Sequence, residues 1–266
     1  MESPTTNSNL SIIIYAATLI SLILFMYLNK FPAPYGKFIR TRGVFCSIFI
    51  NSTLAWVVQE CPAFIVPFHV LCKKWASLSW ISILALIMFC LHYFNRSFIY
   101  PLRIKSKKKT PLETCISAFV FCSFNGWLQS RCIIENNLSH KVTLFSFIGT
   151  LLFFVGMYIN ISSDTHLIEL ASQRIGNQYL LPHKGMFKYV SAANYFGEIV
   201  EWLGFLLFIK TLGAAWFSLF TILFLGQRGY QTHKFYKEKI ANYPKHRSSV
   251  FPFSGFWSYT VCFLNS

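Results

Sequence analysis

Residues 156–164 read GMYINISSD, and residues 189–205 read YVSAANYFGEIVEWLGF, with a polar loop between them. Both are apolar runs that carry groups a hydrocarbon interior rejects. Asn160 and Asp164 are four apart and share one face of a helix. Asn194, Glu198 and Glu201, at i, i+4 and i+7, share a face of the next. A carboxylate within an apolar span is costly, so such residues turn toward a cavity, a partner or a ligand rather than lipid. The spacing predicts two helices with facing polar stripes and something polar and sizeable held between them.

The rest of the chain fits that setting. Of the 266 residues, 54% are hydrophobic and only 12% charged, a balance that excludes an ordinary soluble domain. The 29 Phe suit lipid-facing helices and interfacial belts. A net charge of +15 invites a nucleic-acid reading, but the basic residues fall between apolar spans rather than along one exposed face, so no nucleic-acid partner is expected. The eight Cys form no CxxC pair and no metal-type spacing with His. Cys61, Cys90, Cys115 and Cys122 lie inside apolar stretches, where Cys behaves as a small hydrophobe, so reduced structural thiols and no metal site are expected.

Seven spans are predicted, at roughly 10–29, 46–70, 78–98, 113–133, 143–163, 190–209 and 211–228. The first lacks a preceding cationic segment and a following small-residue cleavage site, so it reads as an uncleaved helix and not a signal peptide. Pro62 and Pro67 predict a kink in the second, and Asn125, Gln129 and Ser130 interrupt the fourth. The sixth and seventh are joined by a tight connection at 210–213. Of the 24 Lys and Arg, only Lys73, Lys74, Arg131, Lys141 and Lys210 fall in one set of alternate connections. The positive-inside rule then places the N-terminus in the lumen and the C-terminus in the cytosol. The KSKKK run at 105–109 suits anionic headgroups or simply fixes topology.

The fold class predicted is all-α. It is a polytopic membrane protein of seven transmembrane helices with a cavity inside the bundle, forming one membrane-embedded domain over 1–266. Residues 1–30 are its first helix and 229–266 a cytosolic or interfacial tail. No G-x-G-x-x-G, P-loop, H-E-x-x-H or G-x-S-x-G is present. What recurs is polar residues at helical spacing. Gln59 and Glu60 precede Cys61-Pro62; Tyr93, Arg96 and Tyr100 fall at i, i+3 and i+7; Arg228 and Tyr236 flank His233. Singly, each has an ordinary explanation as a belt aromatic, a snorkelling Arg or a buried neutral carboxyl. Four such faces in one small protein argue for a site.

Those stretches resemble the steroid 5α-reductases. The resemblance runs from about residue 35 onward and is carried by LAWVVQECPAF (54–64), HYFNRSFIYPLR (92–103), GMYINISSD (156–164), YVSAANYFGEIVEWLGF (189–205) and HKFYKEKIANYPKHR (233–247). It implies a multi-pass enzyme of the endoplasmic reticulum that uses NADPH to reduce the C4–C5 double bond of a 3-oxo-Δ4-steroid. By that resemblance Gln59, Glu60 and Tyr93 hold the steroid ketone, with Trp56 a further substrate contact and Glu60 and Tyr93 the catalytic pair. It also implies cofactor contacts at Tyr35, Arg96, Tyr100, Arg103, Asn160, Asp164, Tyr179, Asn194, Glu198, Arg228, His233 and Tyr236.

The residue types agree with that chemistry. Hydride addition to C5 drives negative charge onto the distant carbonyl oxygen, where a Tyr93 hydroxyl or a protonated Glu60 can donate. Arg and Asn suit phosphates and a carboxamide. The chain departs from the family pattern in the loop after Asp164, which reads LASQRIGNQY with Arg174 displaced, at Leu180, where a basic residue is usual, and at Thr232 in place of a His. Three alternatives stay open: a polyprenol or enoyl-CoA double-bond reductase of the same fold, an isoprenylcysteine-type methyltransferase, and an inactive sterol-binding paralogue.

Overall fold

Helices form where the apolar runs predict them. The structure, a computed structural model, describes residues 8–30, 48–104, 109–136, 142–174 and 179–252. In order these give α1 (Ser8–Lys30), β1 (Phe49–Asn51), α2 (Ser52–Lys74), α3 (Trp80–Phe94), a π-helical turn (Asn95–Ile99), α4 (Tyr100–Arg103), β2 (Lys109–Pro111), α5 (Leu112–Asn136), α6 (Leu144–Ser172), a 3₁₀ turn (Gly185–Lys188), α7 (Ala193–Ile209) and α8 (Leu212–Lys239). Among the described residues, four segments are long and apolar enough to cross a membrane: Ser8–Lys30, Ser52–Ser77, Trp80–Arg103 and Leu144–Ser172. The protein is a polytopic membrane protein, and its described residues are helical apart from one small sheet and short turns. Tyr35 and most of the KSKKK run lie outside the described residues.

Polar residues set the helix starts. The Asn51 side chain accepts from the Leu54 amide (3.1 Å) and Ser79 Oγ from the Ser82 amide (3.2 Å). Thr143 and Ser146 cap α6 reciprocally. Pro62 has no N–H for the Val58 carbonyl, and the Cys61 thiol donates there instead, at 3.5 Å. α2 continues through both prolines.

The chain packs as two compact units. In the first, α2 packs against both α3 and α5. The sheet, which the sequence does not announce, joins the starts of α2 and α5. It is antiparallel, with Phe49 opposite Pro111 and Asn51 opposite Lys109, and Ser52 Oγ lies 2.9 Å from Thr110 Oγ1. Leu86, Phe89, Leu128 and Ile133 are fully buried there.

In the second unit the core is aromatic. Phe153, Phe205 and Phe217 pack edge-on or tilted around Trp202, whose ring centroid is 4.5 Å from that of Phe217. The later half of α1 is tied to α8, because Trp216 Nε1 donates to Ser21 Oγ (3.1 Å) and Gln227 Nε2 to Asn29 Oδ1 (2.8 Å). Along α6 and α7 four glycines form one close seam. A Cβ at Gly156 would lie 2.3 Å from the Glu201 amide nitrogen, and one at Gly204 2.4 Å from that of Phe153. A Cβ at Gly149 or Gly197 would lie 2.7 or 2.5 Å from the opposite backbone.

Candidate functional site

The glycine seam fixes what the two polar stripes can do. They face each other as expected, but nothing sizeable separates them, which corrects the expectation of a ligand held between α6 and α7 at this depth. With backbones this close, the polar groups satisfy one another directly. Asn160 Nδ2 donates to the Asn194 carbonyl (3.0 Å) and to Glu198 Oε2 (3.4 Å). Asn194 Nδ2 donates to Asp164 Oδ1 (3.0 Å). Asn160, Asp164 and Glu201 are buried, while Asn194 and Glu198 are half-buried. The contact is therefore a preorganised polar ridge whose half-buried edge remains available to a ligand.

The other unit-two candidates lie on α8 and the segments beside it. Arg228 is buried, and its Nη1 donates to Gln231 Oε1 at 3.4 Å. Arg174, displaced in sequence, stacks its guanidinium 3.6 Å from the centroid of the Tyr179 ring. Tyr179 packs in turn against Phe235, and Tyr236 is buried near Tyr243.

His233 has partners that sequence reasoning missed. Ser191 Oγ lies 2.5 Å from its Nδ1 and 2.6 Å from Tyr243 Oη. The backbone of 189–192 also pairs with 248–249 through Ser191 N to Ser248 O (2.9 Å) and Ala192 N to Ser249 O (3.1 Å). Arg247 Nη1 donates to the Pro182 carbonyl at 2.8 Å. The returning segment is thus fastened beside the candidate residues. No local pattern in the sequence announces this, because Ser191 and Tyr243 are 52 positions apart.

His233 sits beyond the apolar stretch 211–228. Burial, aided by the nearby Lys237 ammonium, pulls its imidazole down to about 4. Above about 6.5, the unfolded value, the ring is neutral folded and unfolded. Between 6.5 and 4 acid protonates the unfolded chain preferentially, so stability falls through that window. The melting temperature in detergent is expected to be flat from pH 8 to 7 and to drop on acidification to 4. His233→Gln should reduce that acid slope, and an unchanged slope would show that another group carries it.

In the first unit the candidates converge on α5. Tyr93 is buried on α3, and its phenolic oxygen accepts from Asn125 Nδ2 at 3.0 Å. The Cys122 thiol, one turn earlier on the same face of α5, lies 3.7 Å from Glu60 Oε2. One face of α5 thus touches both members of the expected catalytic pair. Gln59, next to Glu60 on α2, is buried on a different face.

The π-helical turn inserts itself into the span just after Tyr93 and carries Arg96. Such turns re-aim side chains within otherwise regular helices. The Arg96 guanidinium lies 4.7 Å from the Trp56 ring centroid and 4.9 Å from that of Tyr100, while Arg103 is half-buried at the end of α4. In the sequence, Asn125, Gln129 and Ser130 interrupt an apolar span. The i, i+4 spacing of Asn125 and Gln129 was the available signal that α5 too presents a polar face.

The donor inventory fits a dinucleotide and a ketone. Guanidinium, amide and phenol groups are the chemistry of phosphate and carboxamide binding, and the first unit adds a buried phenol beside a carboxyl. Comparison with known proteins gives the same direction. A sequence model of the family described as 3-oxo-5-alpha-steroid 4-dehydrogenase matches residues 108–254. The chain is 34% identical to 3-oxo-5-alpha-steroid 4-dehydrogenase 1 of Bos taurus, over 90% of this chain and 94% of that protein. It is 35% identical to the type 1 protein of Rattus norvegicus, over 92% and 95%. It is 36% identical to the type 2 protein of Homo sapiens, over 90% and 94%.

Proposed function

The chain belongs to the 3-oxo-5-alpha-steroid 4-dehydrogenase family, and from that premise we propose how its residues divide the work. The protein is an oxidoreductase that carries out NADPH-linked reduction of 3-oxo-Δ4-steroids, saturating the C4–C5 bond. The single observation that carries our assignment of roles is the buried Tyr93 hydroxyl, held by Asn125 on the α5 face that also meets Glu60.

Tyr93 donates a hydrogen bond to the steroid C3 oxygen. As C5 is reduced, the C4–C5 π pair moves to C3–C4 and the carbonyl π pair onto that oxygen, so the bond strengthens and stabilises the enolate, which then takes a solvent-derived proton at C4. Glu60 in its protonated form donates to the same oxygen or orients Tyr93, and Gln59 and Trp56 bound the steroid. NADPH, when bound, supplies a hydride. Asn160, Asp164, Asn194 and Glu198 serve its carboxamide end through the half-buried edge of their ridge. Arg96, Arg103 and Arg228 serve its phosphates, with Tyr35, Tyr100, Tyr179, His233 and Tyr236 completing the set. Arg174, stacked on Tyr179, takes the role of the basic residue that the loop after Asp164 displaces. The chain crosses the endoplasmic-reticulum membrane seven times, with its N-terminus luminal and C-terminus cytosolic, as the distribution of its basic residues supports.

The direct test uses membranes lacking reductase activity. With the protein expressed, testosterone and NADPH are expected to yield the 5α-dihydro steroid by mass spectrometry. NADPH binding without any steroid product would overturn the substrate class, and binding of S-adenosylmethionine with no response to NADPH would overturn the reaction.

A further inference from the structure

We propose that Asn125 and Gln129 are positioning residues that set the direction of the Tyr93 hydrogen bond, so that the phenol accepts from Asn125 and keeps its own proton for donation away from that residue, to the substrate. The inference rests on the reading of Tyr93 as the donor to the steroid carbonyl. Its starting point is a group with fixed polarity, the Gly213 backbone carbonyl, which can only accept. Gln129 Nε2 lies 2.9 Å from it, so the amide nitrogen must face that way. The same NH₂ group reaches Asn125 Oδ1 at 3.2 Å. Asn125 must then turn its own NH₂ toward Tyr93, where Nδ2 lies 3.0 Å from the phenolic oxygen.

Each link fixes the next, and both amides are fully buried. A flip of Gln129 would set its oxygen against two acceptors, and a flip of Asn125 would set two NH₂ donors face to face. Gln129 Oε1 has no hydrogen-bond partner among the described residues. An unpaired buried acceptor is ordinarily selected against. Here the alternative orientation would oppose it to both the Gly213 carbonyl and Asn125 Oδ1, so the orphan atom is the lesser penalty.

The consequence for Tyr93 is chemical. Its oxygen accepts from Asn125, so its own proton is not shared with that residue and goes to a different acceptor. Accepting one hydrogen bond also makes a hydroxyl a better donor in the next. With the opposite amide orientation, Asn125 would take the Tyr93 proton and compete with the steroid oxygen.

The test is a double-mutant cycle in membranes, with testosterone turnover and NADPH affinity read for each variant. Asn125→Leu removes the donor at similar volume and is expected to lower kcat about tenfold with NADPH affinity retained. Combined with Tyr93→Phe it should be no slower than Tyr93→Phe alone, since its effect passes through that hydroxyl. A merely structural role would instead multiply the two losses, and that result overturns the proposal, as does wild-type turnover in Asn125→Leu. Should Asn125→Leu fail to bind NADPH, Gln129→Met carries the same cycle, with a severalfold loss expected alone and none added to Tyr93→Phe. Full activity in Tyr93→Phe itself would remove the premise, an outcome distinct from additivity.

Discussion

Tyr93→Phe is expected to slow reduction of a 3-oxo-Δ4-steroid by roughly 10²–10³-fold, the usual cost of deleting one donor to a developing oxyanion. The variant loses one oxygen atom from a buried site and keeps the ring. Packing against Phe89 and His92, at centroid distances of 4.8 and 5.0 Å, is preserved. The loss should fall on kcat, because the bond strengthens as charge reaches the C3 oxygen and is weak to the neutral ketone. NADPH affinity should hold, since the removed atom is assigned to the ketone and not the cofactor. Steady-state kinetics with direct NADPH titration separate these effects. A raised KM with unchanged kcat would mean that Tyr93 only binds substrate.

Gly156→Leu is expected to be the most damaging substitution in the second unit, abolishing folded protein as read by detergent-solubilised yield and monodispersity. A single Cβ at this position would already sit 2.3 Å from the Glu201 nitrogen and 2.6 Å from the Gly197 carbonyl oxygen. These are backbone atoms and cannot rotate away, so α6 and α7 must separate. Separation would undo the Asn160–Asn194 and Asn194–Asp164 bonds and leave amides and carboxylates unsatisfied in an apolar setting. Gly156→Ala should show the same defect in weaker form. Gly185→Ala is the control. Its site has φ +56 but no atom near the added Cβ, so only the left-handed backbone strain of about 1 kcal/mol is expected. Equal damage at both positions would refute the seam.

Much of this was legible in sequence because it is periodic. The apolar runs gave the helices, and the i, i+4 and i+7 spacing gave the faces that meet between α6 and α7. What periodicity could not show was how closely the helices approach. Gly149, Gly156, Gly197 and Gly204 are each seven apart in pairs, yet the polar residues beside them invited a ligand rather than a backbone contact. The short sheet escaped notice because each strand is three residues long, and its pairing of Phe49 with Pro111 spans a stretch of helices. The cluster of Ser191, His233 and Tyr243 is likewise tertiary, with only His233 visible inside a motif. Asn125 and Gln129 were visible but read as defects of a span. A polar residue in an apolar helix is informative about whichever helix packs on it, and here that helix carries Tyr93.

The most direct test of the account follows the hydrogens. The expressed protein is given testosterone and NADPH carrying deuterium at the transferable position of the nicotinamide, and the product is analysed by mass spectrometry and NMR. A saturated 3-ketone with one deuterium at C5 in the α configuration and a solvent-derived hydrogen at C4 is the expected product. Deuterium at C3 in an unsaturated alcohol, or no labelled steroid from protein that binds NADPH, would contradict the proposed reaction.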